Sequence, residues 1–131
     1  MIHHLGDQNS LLHSFIAEIR DEQIQVDPLR FRRNLERVGE IFAYEISKEL
    51  AYADKEVKTP LGTAEVQMLT DEIVLGTILR AGLPIHQGLL NYFDRAENAF
   101  ISAYRVYEKD GTFNIRFEHI SGPRIDDKVV I

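Results

Sequence analysis

One stretch constrains this chain more than any other. Ile73-Val74-Leu75-Gly76-Thr77-Ile78-Leu79 runs directly into Arg80-Ala81-Gly82-Leu83-Pro84. A nearly unbroken apolar run of this length is the pattern of a parallel strand covered on both faces. Pro84 can open a helix, because its missing N–H would have no intrahelical partner in the first turn. The expected helix continues through Gln87-Gly88-Leu89-Leu90 to Tyr92 or Phe93. Strand, glycine-containing turn and helix follow in that order, and ligands of open α/β sheets bind at such turns. The amino end of the helix carries unpaired N–H groups and partial positive charge, Gly82 lets the backbone come close to a ligand, and Arg80 adds a cation. The expected ligand is an anion. Spacing alone does not separate that reading from a tight turn with an exposed arginine.

The flanking segments suit an α/β domain. Leu12, Phe15, Ile16 and Ile19 recur at helical spacing, with Asn9 or Ser10 as N-cap, and predict a short helix to about Glu22. Asp27-Pro28 opens a second helix whose buried stripe is Phe31, Leu35, Val38, Phe42, Ile46 and Leu50. Arg30, Arg32, Arg33, Glu36 and Arg37 are read as its solvated side. From Lys55, alternating residues around Thr59-Pro60-Leu61-Gly62 predict a small β-hairpin ending near Met68. Ala99 to Tyr107 and Thr112 to Ile120 flank Asp110-Gly111, a two-residue hairpin signal, and predict a long, protruding β-arm. Arg105, just past Phe100–Tyr104, either points at the same crevice as Arg80 or faces water. Lys128-Val129-Val130-Ile131 begins what reads as another buried strand, so the 131 residues are expected to be the N-terminal part of a longer domain. The expected architecture is α/β. Residues 1–53 are helical, 54–70 form the hairpin, and 71–131 form a largely parallel sheet region with the arm.

Composition narrows the function. Lys plus Arg (15) against Asp plus Glu (21) gives 15 − 21 = −6, which argues against a broad nucleic-acid surface. Any bound anion must be met locally. The absence of cysteine excludes disulfides, thiolate nucleophiles and Cys-ligated zinc, and fits a reducing cytoplasm. No apolar run approaches the roughly 20 residues of a bilayer span. His3, His4, His13, His86 and His119 form no His-x-x-x-His pair, so no metal site is expected, and His86 is read as a surface or packing residue. Neither a Gly-x-Ser-x-Gly elbow nor a Gly-x-x-x-x-Gly-Lys loop occurs.

The segment Ile78 to Leu90 resembles the pyrophosphate loop and following helix of the uracil phosphoribosyltransferases, and Asn91-Tyr92-Phe93-Asp94 continues the likeness. Phe31-Arg32 through Val38-Gly39 to Tyr44-Glu45 is similar to that family's second helix, and Ser102-Ala103-Tyr104-Arg105 to its following strand. The likeness runs from about Leu29 to Ile131. It implies transfer of ribose 5-phosphate from phosphoribosyl pyrophosphate to uracil, giving UMP and pyrophosphate, with magnesium on the diphosphate. It also implies that Arg80 and Arg105 contact the diphosphate while Ala81 and Gly82 offer backbone N–H groups. Unusual backbone geometry at Arg80-Ala81, such as a non-proline cis peptide on either side of Arg80, is a further implication. In the family, the strand begun at Lys128 leads to a ribose-phosphate loop and a uracil-reading segment. These 131 residues contain neither, so the chain alone is expected to be inactive. The aromatic arm leads us to expect a homodimer. Two alternatives stay open at this level: another phosphoribosyltransferase, including a regulatory pyrimidine type, and a non-catalytic dimerisation or nucleotide-sensing module.

Overall fold

The computed structural model describes residues 2–108 and 111–131. A short 3-10 turn, Leu5–Asp7, precedes α1 (Leu11–Arg20) and α2 (Pro28–Ser47). Then come β1 (Tyr52–Thr59), β2 (Gly62–Leu69), β3 (Ile73–Leu79), α3 (Leu83–Leu90), β4 (Glu97–Tyr107), β5 (Phe113–Ser121) and β6 (Val129–Val130).

The helix starts follow from their caps. Ser10 Oγ accepts the Leu12 N–H at 3.3 Å, and His13 Nδ1 accepts the Ser10 N–H at 3.3 Å. Asp27 Oδ1 accepts the N–H groups of Leu29 and Arg30 at 2.9 and 3.1 Å. The charged side of α2 departs from expectation. Fully buried Asn34 donates to Glu18 of α1 at 2.6 Å and accepts from Arg37 at 2.9 Å. Arg30 pairs with Glu18 at 3.1 Å, and the Arg37 guanidinium lies 5.2 Å from the centre of the Phe15 ring. Arg30 and Arg37 therefore hold α1 in place, while Arg32 and Arg33 stay exposed.

The expected stripe of α2 is partly met, with Val38 buried and Phe31, Leu35, Ile46 and Leu50 half-buried, but the deepest positions shift to Asn34, Val38, Gly39 and Ala43, and Phe42 is left exposed. The cause is the approach of α3. A Cβ on Gly39 would lie 2.4 Å from the Ile85 carbonyl oxygen, and one on Gly88 only 2.0 Å from that of Glu36. The two helices touch backbone to backbone, a distance that only glycine permits.

The main sheet has the order β5-β4-β3-β6. β3 pairs in parallel with β4, from Val74↔Glu97 to Leu79↔Ser102, and in parallel with β6. β5 pairs antiparallel with β4, from Tyr107↔Phe113 down to Phe100↔Ser121. The largely parallel sheet expected is thus a mixed one. The return strand of the arm does not merely protrude but descends beside β4 and becomes the edge strand of the sheet. The expected turn residue Asp110 lies outside the described residues; Gly111 has φ +85°.

α3 covers the face of β3 that carries Ile73, Leu75 and Thr77, with α2 stacked behind it. Ala43, Ile73, Leu75 and Phe93 form the core, joined by Ile46, Leu89, Val129 and Ile131. On the other face Val74 is buried, but Ile78 is 59% exposed. Coverage on both faces, expected along the whole run, holds only for its first half, because the helical layer lies on one side. The β1–β2 hairpin turns at Gly62 (φ +138°) and pairs with no other strand among the described residues; at its base the Tyr52 hydroxyl donates to the Ser47 carbonyl at the end of α2, at 2.9 Å.

Candidate anion site at the β3–α3 turn

Burial of β3 fixes where its carboxyl end stops, beside Ser102 of β4. The Leu79–Arg80 peptide, on the amino side of Arg80, is cis, in keeping with the unusual geometry expected there. The turn then closes at once. Gly82 N–H donates to the Ile78 carbonyl at 3.2 Å, Leu83 N–H to that of Arg80 at 3.2 Å, and His86 N–H to that of Gly82 at 2.9 Å. Gly82 has φ −72°, so its glycine character is not a matter of left-handed backbone. A Cβ there would come within 2.9 Å of the Ile78 carbonyl oxygen and of Thr77 Cγ2. Close packing on β3 is what requires glycine.

The N–H of Gly82 is therefore committed inside the turn. That of Ala81 has no partner among the described residues, and Ala81 is exposed. Arg80 is exposed too, and its guanidinium has neither an ion pair nor a hydrogen bond among the described residues. The opposite end of β3 differs. There Lys128 bonds Glu97 and lies 3.6 Å from Glu72, and the Glu97 hydrogen bond holds its ammonium above the ordinary lysine range. One end of the strand has its cation neutralised; the other offers an uncommitted arginine and a free N–H at a helix start. That combination suits an anion.

Arg105 sits three residues beyond Ser102, on the stretch of β4 that continues past the end of β3. Its guanidinium lies 4.7 Å from the Phe113 ring centre, and no contact joins it to Arg80. The described residues hold no group of three or more His, Asp or Glu side chains fit for a metal ion. A groove of about 900 Å³ opens elsewhere, among His3, Leu12, Ile16, Phe42 and Ile46, and includes none of the turn residues.

Sequence reasoning missed one pair at the site. His86 is buried (7% exposed) with Nδ1 2.7 Å from Thr77 Oγ1, and its ring centre lies 5.1 Å from that of Phe100. The available signal was a threonine inside an apolar run, followed by a histidine one turn into the next helix.

An α/β unit with an anion-ready turn between a buried parallel strand and a helix defines a nucleotide- or phosphate-handling class. Comparison with known proteins makes the class specific. The uracil phosphoribosyltransferase family profile matches residues 7–129. The uracil phosphoribosyltransferase of Porphyromonas gingivalis (strain ATCC 33277) is 58% identical over 128 residues, which cover 98% of this chain and 59% of that protein. That of Methanothermobacter thermautotrophicus is 40% identical over 108 residues, covering 81% and 49%. A solved structure, the AQ2163 protein from Aquifex aeolicus, superposes with a TM-score of 0.80 at 28% identity, covering 99% of this chain and 60% of that one. The chain belongs to the uracil phosphoribosyltransferase family. It spans about three fifths of the length of the Porphyromonas relative.

Proposed function

We propose that the whole protein transfers ribose 5-phosphate from phosphoribosyl pyrophosphate to uracil, yielding UMP and pyrophosphate, in cytoplasmic pyrimidine salvage. The observation that carries this reading is the 58% identity with a uracil phosphoribosyltransferase over a stretch too long to leave out the β3–α3 turn. In the reaction the bond from ribose C1 to the diphosphate oxygen breaks, the bond to uracil nitrogen forms, and that nitrogen loses its proton. Positive charge spreads over the ribose while negative charge grows on the departing diphosphate. Cations and N–H groups already aimed at that charge lower the barrier.

Arg80, the Ala81 N–H and Arg105 are the groups we assign to the diphosphate. Gly82 contributes by letting the turn pack tightly on β3. Magnesium would enter this reading with the substrate, since the described residues hold no cluster of side chains fit for a metal ion, and would supply neutralisation of leaving-group charge.

The same reading takes the working unit as a homodimer. Among the described residues β5 packs only on β4, and the ribbon leaves Tyr107, Phe113, Ile115 and Phe117 exposed. An isolated two-stranded ribbon is marginal in water, and a second copy of the same surface is its expected cover. Light scattering that finds a monomer with the ribbon ordered counts against this.

Kinetics of the whole enzyme test the site. Arg80→Gln and Arg105→Gln should each lower kcat/KM for phosphoribosyl pyrophosphate by more than about tenfold, or ~1.4 kcal/mol. Lysine at position 80 restores activity only in part, since it lacks the planar two-pronged donor. Arg116→Gln, on exposed β5, is the control and should cost little. A folded Arg80→Gln enzyme with wild-type kinetics sinks the assignment.

A further inference from the structure

We propose that Thr77 and His86 are a positioning pair whose hydrogen bond sets the backbone of the Arg80–Gly82 turn, and with it the grip of that turn on an anion. The inference rests on reading the turn as the diphosphate site. Neither residue touches the anion; both act through the turn.

The pair encloses the whole turn. Thr77 is the side-chain hydrogen-bonding residue in the apolar run of β3, and His86 lies in the opening turns of α3. Their side chains, 6% and 7% exposed as residues, meet at 2.7 Å across the turn. Inside that clasp fall all three backbone bonds that shape the loop, from Gly82 to Ile78, Leu83 to Arg80 and His86 to Gly82. Thr77 works with both branches. Its Oγ1 engages the imidazole, while its Cγ2 occupies the space that a side chain on Gly82 would need. Phe100 meets the imidazole at 5.1 Å, so β3 and β4 both fix the ring.

A packing role alone does not require polar groups at these positions. Two apolar side chains of similar shape fill such a space without the cost of desolvating a hydroxyl and an imidazole. What the polar pair adds is direction. A hydrogen bond holds α3 at one angle and height on β3, and those two parameters fix where Arg80 and the Ala81 N–H stand. His86 has no other side-chain hydrogen bond among the described residues, so Thr77 is its polar anchor.

The test titrates inorganic pyrophosphate into the whole protein and follows backbone amide resonances, with amide hydrogen exchange recorded in parallel. In the wild type, pyrophosphate should shift Ala81 and its neighbours. Thr77→Val keeps the shape and loses the hydroxyl; it should bind about fivefold more weakly, and the Gly82 and His86 amides should exchange faster while those of α2 do not change. Thr77→Ser restores the hydroxyl and should return the affinity to near the wild-type value, a rescue that a merely space-filling role would not give. His86→Leu should behave like Thr77→Val, the double variant should be no worse than either alone, and His86→Asn should retain more affinity than His86→Leu. Wild-type affinity and unchanged Gly82 exchange in Thr77→Val overturn this proposal while leaving the diphosphate reading intact. A wild-type protein whose turn does not respond to pyrophosphate overturns both.

Discussion

β3 and β1 are strands of nearly equal length, seven and eight residues, and each leads into a turn containing glycine. Their fates are opposite. Four of the seven β3 residues are buried, whereas every β1 residue but Val57 is exposed. The cause is local chemistry. β3 has no charged residue on either face, but Asp54, Glu56 and Lys58 occupy one face of β1 and Lys55 the other, leaving no apolar side for a helix to cover. α3 packs on β3 with α2 stacked behind it, and no helix covers the hairpin among the described residues. Packing is concentrated beneath the β3–α3 turn, whereas the strands of the hairpin pair chiefly with each other.

The sharpest way to break that contrast is to part α2 from α3. Gly88→Ala places a methyl group 2.0 Å from the Glu36 carbonyl oxygen and 2.8 Å from the Glu40 nitrogen, both backbone atoms of a helix. Neither can swing aside as a side chain does. Unfolding free energy should fall by about 3 kcal/mol or more, the upper end of overpacking costs, as read by urea denaturation. Gly39→Ala, at 2.4 Å from the Ile85 carbonyl oxygen, should follow closely. A loss below about 1 kcal/mol in both would mean that the layer over β3 yields easily, and the contrast with the hairpin would fail.

The elements of this fold were legible where one local signal decided them. Asp27-Pro28 marked the start of α2, the apolar run marked β3, and Thr59-Pro60-Leu61-Gly62 marked the hairpin turn. What sequence could not yield was partnership. The deepest positions of the α2 stripe were misplaced because Gly39 reads as a weak helix residue until α3 is known to press on it. Arg30 and Arg37 read as solvated because their partners, Glu18 and Phe15, lie on a different helix. The sheet was read as largely parallel because pattern shows a strand but not how far its hairpin partner descends. At the turn, residue identities pointed to anion chemistry, yet only geometry reveals that Gly82 spends its N–H on Ile78 and that Thr77 clasps His86.

Between the rigid layer and the exposed hairpin stands α1, held to α2 through Glu18. Hydrogen bonds from Asn34 and Arg30 hold the Glu18 carboxyl below its ordinary value of 4.5. A carboxylate lowered in the folded state contributes stability that is complete above the unfolded value and lost as pH falls through the folded one. Acid should therefore loosen α1 before it affects β3, which carries no charged residue. Amide exchange compared between neutral and acidic solution should show α1 protection falling below about pH 4.5, and Glu18→Gln should flatten that dependence. Equal loss across α1 and β3 would place α1 in the rigid layer instead.

The smallest expected effect probes the hairpin itself. Glu56 stands directly opposite Glu65 in the β1–β2 register, a like-charge pair in the exposed middle of the ribbon. Glu65→Lys turns repulsion into attraction. Cross-strand pairs contribute roughly 0.2–1 kcal/mol, so hairpin amides should gain up to about fivefold protection. Because only the base of the ribbon is tied to α2, through Tyr52 and Ser47, the gain has little route to β3. The urea midpoint of the body should then correspond to a change within about ±0.5 kcal/mol. A larger shift would show that hairpin and body unfold as one unit, so that the β1–β2 ribbon, for all its exposure, shares in the rigidity of the turn.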